Sequence, residues 1–385
     1  MRKYDYNKMP QRLLTDIEKM VSVSECDWNR MYEQQGVIRM ENYKIIIWGL
    51  GHVGTAAVRQ IVQRKSLELV AVYDTDPAKT GKDSGVLSGV EPTGILVSDN
   101  LDEVLATEAD VVLYYATNTF DENNISPTGV TKNVEEICQA LAAGKNVTTT
   151  TLTYYAHKTA PDFYEKIDRV AKENGVTYVQ QGIYPGLYTP YITTVLGMLG
   201  GRIDQVIVYG GEDDYYNVSS WTKSFGFGKN PDEINTEYME NFIFSYYGPT
   251  VMEVADRLGL EWDEYSCVNE PLLAEIEMDT PHGKIMPGTV SGHILTMCVK
   301  KDGKEVSGFH FVHKVHDKMQ PLPSRKMRIE FKGEVNNVIE FSSIFAKPDV
   351  FLTSASPNIN LIPQLVKAEP GFVDALDLPV GHRPA

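Results

Sequence analysis

The stretch that most constrains this chain is Gly49-x-Gly51-x-x-Gly54, set between the apolar run Ile45-Ile46-Ile47-Trp48 and the helix-forming run Ala56 to Gln63. A buried strand, a glycine turn and a helix in that order form the dinucleotide-binding fingerprint. Gly49 lets the chain turn off the strand. Gly51 leaves the backbone open to a pyrophosphate, and Gly54 lets helix and strand approach. The helix N-terminus, with His52 and Val53 in its first turn, presents unbonded N–H groups and partial positive charge to the phosphates. A second apolar run, Leu67 to Tyr73, ends in Asp74, 20 residues after Gly54, where a carboxylate can bond the adenosine ribose. These five positions (Gly49, Gly51, His52, Val53 and Gly54) and Asp74 are the expected cofactor contacts.

The pattern beyond the fingerprint repeats. Asp110 to Tyr115, Lys145 to Thr151 and Val176 to Val179 read as buried strands, separated by the helices Val134 to Ala143 and Asp162 to Asn174. A weaker strand is expected over 94–97. Alternation of this kind specifies a doubly wound parallel sheet of the Rossmann type. Ligands in such folds bind beyond the carboxyl ends of the strands, so Thr117 and Asn118, after the Asp110 strand, are expected to flank the redox end of the cofactor. From residue 183 the runs lengthen and alternate, as in Gln205 to Tyr209 and Val306 to Val315, with two helices expected near Ile243–Tyr247 and Val251–Leu258. The expected organisation is an N-terminal helical arm over 1–42, a Rossmann domain over 43–182 and an α+β domain on a mixed or antiparallel sheet over 183–350. A segment over 351–385, with a helix from Ser354 to Val366, then returns to the Rossmann domain.

Composition narrows the partners. The 385 residues carry 36 Lys and Arg against 52 Asp and Glu, a formal net charge of -16, which argues against nucleic acid or an anionic membrane. No apolar run is long enough to span a bilayer and no signal peptide opens the chain, so a soluble cytoplasmic protein is expected. The 4 cysteines are far apart, without a CxxC pair, and imply neither a disulfide framework nor a zinc site. Cys138 falls in a helical pattern and is expected in the core. His310 and His313, three apart on a strand, point to opposite faces and make a poor metal pair. The acidic run Glu212-Asp213-Asp214 reads as a solvated turn, with a cation site as the alternative.

Several segments together resemble known families. The fingerprint, the loop from Asp74 through Pro77, Lys79, Gly81 and Asp83 to Leu87, and the run Ala142-Ala-Gly144-Lys145-Asn146-Val147 resemble the N-terminal domain of dihydrodipicolinate reductases. The rest is similar to the 2,4-diaminopentanoate dehydrogenase and native amine dehydrogenase family. The marks are Gly182-Ile-Tyr184-Pro185-Gly186, Ser219-Ser-Trp221-Thr-Lys223-Ser-Phe225-Gly-Phe227-Gly228, Pro287-Gly288-Thr-Val-Ser-Gly292, and Asn360-Leu-Ile-Pro363 followed by Leu376-Asp-Leu-Pro379. The segment His310 to His316 does not match the HHxxK-type segment of true dihydrodipicolinate reductases, which argues against a role in lysine biosynthesis. Tyr184 stands where the family carries Asn.

The resemblance implies an NAD(P)-dependent oxidoreductase that deaminates an amine oxidatively or, in reverse, aminates a ketone or aldehyde with ammonia, working as a homodimer through its second domain. By position in the loop after the Asp110 strand, Glu122 is the acid expected to contact the amine, with Asp121 as the alternative. Asn118, Tyr155, Tyr184, Tyr188, Thr189 and Trp221 are the expected pocket residues; tyrosine, present 21 times, suits a mixed apolar and polar ligand. Asp74 favours NAD, while Lys79 and Lys82 leave room for NADP. Two other activities stay open on the sequence: an NAD(P)-dependent reductase of a C=C, carbonyl or cyclic imine, and a non-catalytic nucleotide sensor.

Overall fold

A computed structural model describes residues 41–218, 220–316, 327–342, 349–380 and 384. The expected helices of the N-terminal arm and the Trp221 side chain lie outside the described part of the chain.

The first sheet grows outward from the fingerprint strand. In chain order its elements are β1 (Tyr43–Trp48), α1 (His52–Ile61), β2 (Leu67–Tyr73), the short α2 (Ser84–Leu87), β3 (Val97–Ser98), α3 (Leu101–Ala106) and β4 (Val111–Tyr114). There follow α4 (Thr131–Ala142), β5 (Asn146–Thr149), α5 (Ala156–Thr159), α6 (Pro161–Glu173) and β6 (Thr177–Gln180). Six strands lie in the order β3-β2-β1-β4-β5-β6, all parallel, the doubly wound arrangement that alternating strands and helices dictate. Strand alternation feeds two cores. Ile45, Ile47, Val111 and Leu113 face α1 and the C-terminal helices, whereas Ile46, Trp48, Val112 and Tyr114 face α4 and α6. Cys138 of α4 lies in the second of these cores, buried as expected. The strand expected over 94–97 shrinks to β3, which pairs only with Val72 and Tyr73 at the sheet edge.

The second domain is a six-stranded mixed sheet in the order β14-β13-β7-β12-β11-β8. Its strands are β7 (Ile203–Asp213), β8 (Glu264–Leu273), β11 (Val290–Lys301), β12 (Lys304–Lys314), β13 (Met327–Gly333) and β14 (Asn337–Phe341), with a small hairpin, β9 (Met278–Thr280) and β10 (Gly283–Ile285), beside it. Only the β7–β12 pair is parallel. After α7 (Tyr191–Leu196), one long helix serves this sheet: α8 (Thr236–Arg257). It lays Met239, Phe242, Ile243, Tyr247, Val251 and Val254 on Val206, Val208, Leu295, Met297, Phe309 and Phe311. The two helices expected here are therefore one, running through Gly248 and Pro249. Both flanks of the Gly-Pro step are buried on the sheet, and that packing outweighs the one backbone bond proline removes.

The chain then returns. The single helix expected over 354–366 is two, α9 (Val350–Asn360) and α10 (Ile362–Lys367), because Pro363 cannot continue the first and sits in the opening turn of the second. The tail adds β15 (Gly371–Asp374), which pairs in parallel with β6 and makes the first sheet seven-stranded. Among the described residues no helix is long and apolar enough to cross a membrane.

Candidate active site

The glycine turn adopts the geometry its spacing demands. Gly49 has φ +100°, and its N–H donates to Tyr73 O at 2.8 Å. A Cβ on Gly54 would lie 2.1 Å from Gly49 O, so no side chain fits there. A Cβ on Gly51 would meet nothing within 4 Å: it would project into open space over the turn. Gly51 is also the N-cap of α1, which has no side-chain cap and no acid in its first turn. These are the requirements of a pyrophosphate cradle, and the residues present fit a nicotinamide dinucleotide. Asp74 reaches the same turn. Its Oδ2 accepts from Leu50 N at 2.7 Å and pairs with Lys79 Nζ at 3.0 Å.

A cavity of about 430 Å³ opens from this turn at the carboxyl ends of the parallel strands, between the two sheets. Gly51, His52, Val53, Tyr115 and Thr117 line one side, and Thr150 and Thr151 after β5 continue it. His52 stacks on Phe351 of α9, with ring centroids 4.7 Å apart and planes inclined by 14°, so the returning helix closes the mouth. The opposite side comes from the second domain: Glu212 at the end of β7, Asn217 and Lys223 beyond it, and Tyr246 and Tyr247 of α8. Tyr184, from the segment joining the domains, completes the wall.

The acid facing this cavity is Glu212. It is 6% exposed, and its neighbours Asp213 and Asp214 are 5% and 0%. The solvated turn expected here is thus a buried cluster. The cause is tertiary: β12 pairs with β7 to its last residue, setting His313 against Glu212 and Lys314 against Asp213. Tyr184 Oη donates to Glu212 Oε2 at 2.8 Å, and Asn217 Nδ2 donates to Oε1 at 3.2 Å. His313 Nδ1 lies 2.9 Å from Asp214 Oδ2. Burial, then the Asp214 charge, raises the Glu212 carboxyl to about 7, against the pull of His313 and the bonds from Tyr184 and Asn217. Donor atoms of Glu212, Asp214 and His313 lie within 4.8 Å of one another, with Glu212 Oε2 bonded to Tyr184 and Asp214 Oδ2 to His313 Nδ1. His310, on the other face of β12, is half-exposed and bonds Glu305 at 2.7 Å, so the two histidines part as their spacing requires.

The residues expected from sequence divide. Gly51, His52, Val53, Thr117 and Tyr184 line the cavity, and Gly49, Gly54 and Asp74 shape the turn beneath it. Glu122 does not line it. It is exposed in the turn closed by the Asp121–Asn124 bridge. Asn118 lies behind the wall, its Oδ1 accepting from Leu152 N at 2.9 Å and its side chain bonding the cavity residue Tyr246. Tyr155 bonds Asp256 and faces a different cavity. Tyr188 is fully buried, donating to Tyr209 O at 2.9 Å, and Thr189 is buried beside it, outside the cavity lining. The order of residues along the chain gave these a shared neighbourhood, but core packing took the side chains of Tyr188 and Thr189. Glu212, Asn217, Lys223, Tyr246 and Phe351 were not anticipated as pocket residues. The one signal for Glu212 was its place three residues after the apolar run Gln205 to Tyr209.

Comparison with known proteins bears on both domains. Residues 43–174 match the dihydrodipicolinate reductase N-terminus family, and residues 218–383 match the 2,4-diaminopentanoate dehydrogenase C-terminal domain family. An amine dehydrogenase from Streptomyces virginiae is 25% identical over 360 residues, 88% of this chain and 96% of that protein. A 2,4-diaminopentanoate dehydrogenase from Acetoanaerobium sticklandii is 22% identical over 368 residues, 89% of this chain and 94% of that protein. The solved structure of an amine dehydrogenase from Mycobacterium smegmatis has a TM-score of 0.71 at 20% identity, over 89% of this chain and 98% of its own, and so shares the fold.

Proposed function

We infer that this chain, a dihydrodipicolinate reductase-type N-terminal domain joined to a 2,4-diaminopentanoate dehydrogenase C-terminal domain, is a nicotinamide-dependent dehydrogenase acting on CH–NH2 donors. We propose further that it interconverts an amine with a ketone or aldehyde plus ammonia, and that Glu212, not Glu122, handles the nitrogen. The observation that carries this reading is a buried carboxyl of near-neutral pKa facing the cavity that opens from the phosphate-binding turn.

The turn, the free N-terminus of α1 and the loop at Thr117 would hold the cofactor, which supplies the hydride acceptor or donor. NAD is the expected form, with Lys79 neutralising Asp74 closely enough for NADP to be tolerated. The chain's own residues manage the proton and the charge. In oxidation, ionised Glu212 takes a proton from the substrate ammonium and frees the nitrogen lone pair as the hydride leaves the adjacent carbon. The resulting iminium cation is stabilised by the buried carboxylates, whose surplus negative charge it offsets. Water then adds to the iminium carbon and ammonia departs. The sum is amine cation, oxidised cofactor and water giving carbonyl, ammonium, reduced cofactor and one proton. Tyr184 holds the Glu212 carboxylate by its hydroxyl, and Tyr246 and Tyr247 help exclude bulk water.

The experiment is oxidation of reduced nicotinamide by a panel of ketones and aldehydes, with and without excess ammonium, in the wild type and in Glu212→Gln. Turnover that requires ammonium and falls in the variant supports the reading. Turnover indifferent to ammonium would replace it with reduction of another bond.

A further inference from the structure

Behind the wall of the proposed active site, the Asn118 amide ties three parts of the chain together. Asn118 follows β4, Leu152 follows β5, and Tyr246 belongs to α8. Leu152 N donates to Asn118 Oδ1 at 2.9 Å. A backbone N–H can only donate, so the amide has one orientation: its oxygen faces Leu152, and its Nδ2 is the atom that bonds the Tyr246 hydroxyl. Leu152 is 4% exposed and held at φ +77°, a left-handed conformation that leucine rarely adopts. The same turn is fixed from its other side by Gln180, whose Nε2 donates to Thr151 O at 2.7 Å. Thr117 and Thr151, the chain neighbours of Asn118 and Leu152, line the cavity, as does Tyr246 itself.

A hydroxyl that accepts from an amide N–H keeps its own proton to give. The Tyr246 ring is held between Phe120 and Phe242, with centroids 6.2 and 5.0 Å away, so the amide sets the direction of that proton. Burial raises the Tyr246 pKa, against the pull of the Asn118 bond, and the phenol stays a neutral donor through the physiological range. Glu212 is the opposite kind of group: its Oε2 accepts from Tyr184 and its Oε1 from Asn217. One cavity thus carries an acceptor carboxylate and a donor phenol. They match the two atoms exchanged at the reacting carbon, nitrogen and oxygen.

We propose that Tyr246 is a catalytic residue that donates a hydrogen bond to the substrate oxygen, and that Asn118 is the positioning residue that aims it. The proposal rests on the reading that the chain interconverts an amine with a carbonyl and ammonia. In amination, ammonia adds to the carbonyl carbon, and the oxygen, as it gains negative charge, takes the Tyr246 hydrogen bond. The C–O bond of the carbinolamine then breaks as the nitrogen lone pair forms C=N; carbinolamine and one proton give iminium and water. That proton comes from the Glu212 carboxyl, and Tyr246 keeps its own. Deamination runs the same contacts in reverse.

The test compares two substrates of equal carbon count: 2-pentanone with excess ammonium, which must lose its oxygen, and 2-methyl-1-pyrroline, a cyclic imine that has none. Tyr246→Phe should lower kcat for the first on the order of 10²-fold, as removal of one oxyanion donor does, and for the second by less than about threefold. In Asn118→Asp the carboxylate still accepts from Leu152 N but also accepts from Tyr246, which turns the hydroxyl round. It should reproduce the selectivity of Tyr246→Phe, and the double variant should lose less than about threefold more than either. A readout free of turnover is the infrared carbonyl band of isotope-labelled 2-pentanone bound with oxidised cofactor, expected at lower frequency in the wild type than in Tyr246→Phe. Equal losses on both substrates, a raised cofactor KM with kcat intact, additive losses in the double variant, or an unmoved carbonyl band would each overturn the proposal. Wild-type turnover of 2-pentanone that ignores ammonium would instead overturn the reading beneath it, while the carbonyl band would still report whether Tyr246 holds the oxygen.

Discussion

Glu122 and Glu212 make an instructive pair. Each lies near the end of a strand that points toward the same cavity, and each sits beside a second acid. Glu122 stands in an exposed turn eight residues past Tyr114, the last residue of β4, and water surrounds it. Glu212 is the penultimate residue of β7, with β12 alongside to the strand's end and Asp214 close by. The same carboxyl group is exposed in one place and, in the other, buried with its pKa raised to about 7. Desolvation, more than position after a strand, decides which acid can do chemistry.

The comparison can be broken most directly by activity. Glu212→Gln should lower kcat/KM for the amine by roughly 10²–10⁴-fold, the usual scale of a lost general base, while Glu122→Ala changes it less than about threefold. The wild-type pH profile for amine oxidation should rise through about pH 7, where Glu212 ionises; a flat profile across that range would remove Glu212 from the mechanism. Next in size is stability. The folded Glu212 pKa lies above its unfolded value of 4.5, so between there and about 7 the folded state holds the extra proton. Stability therefore falls as pH rises through this window, by on the order of 3 kcal/mol from this group. Glu212→Gln should be the more stable protein at pH 8 and not at pH 4, read by denaturant melts.

Smaller effects sharpen the contrast. Tyr184→Phe removes a donor to the Glu212 carboxylate, worth about 1 kcal/mol, and should move the activity profile toward alkaline pH by less than about one unit. A shift toward acid would mean that the hydroxyl does not serve the ionised form. Smallest of all, Glu122→Ala should leave unfolding free energy within about 0.5 kcal/mol of wild type.

What the sequence disclosed follows from how local each feature is. The fingerprint was legible because strand, turn and helix are contiguous, and Asp74 followed from the length of one βαβ unit. The buried state of Glu212 was not, because three successive acids carry no mark of the β12 register that covers them. Pro249 and Gly248 read as a helix break, for the face they bury belongs to strands some fifty residues on. Tyr188 and Thr189 were expected in the pocket, but which way each side chain turns depends on which of two surfaces closes over it, and both are buried outside the cavity lining. The short β15 was missed altogether: Gly371 N finds Val176 O, and Phe372 N finds Asp168, 204 residues earlier.

That last strand also sets an order of events during synthesis. The first sheet begins with Tyr43, yet among the described residues its outer edge is covered by residues 371–374, and Phe351 stacks on His52 at the mouth of the cleft. Until the ribosome has released the final segment, β6 presents a bare edge of the kind that recruits foreign strands. A message truncated a few dozen codons early would therefore yield a product with every glycine of its fingerprint and an open, adhesive flank, and such a product should be lost to aggregation before any lost catalysis could be measured.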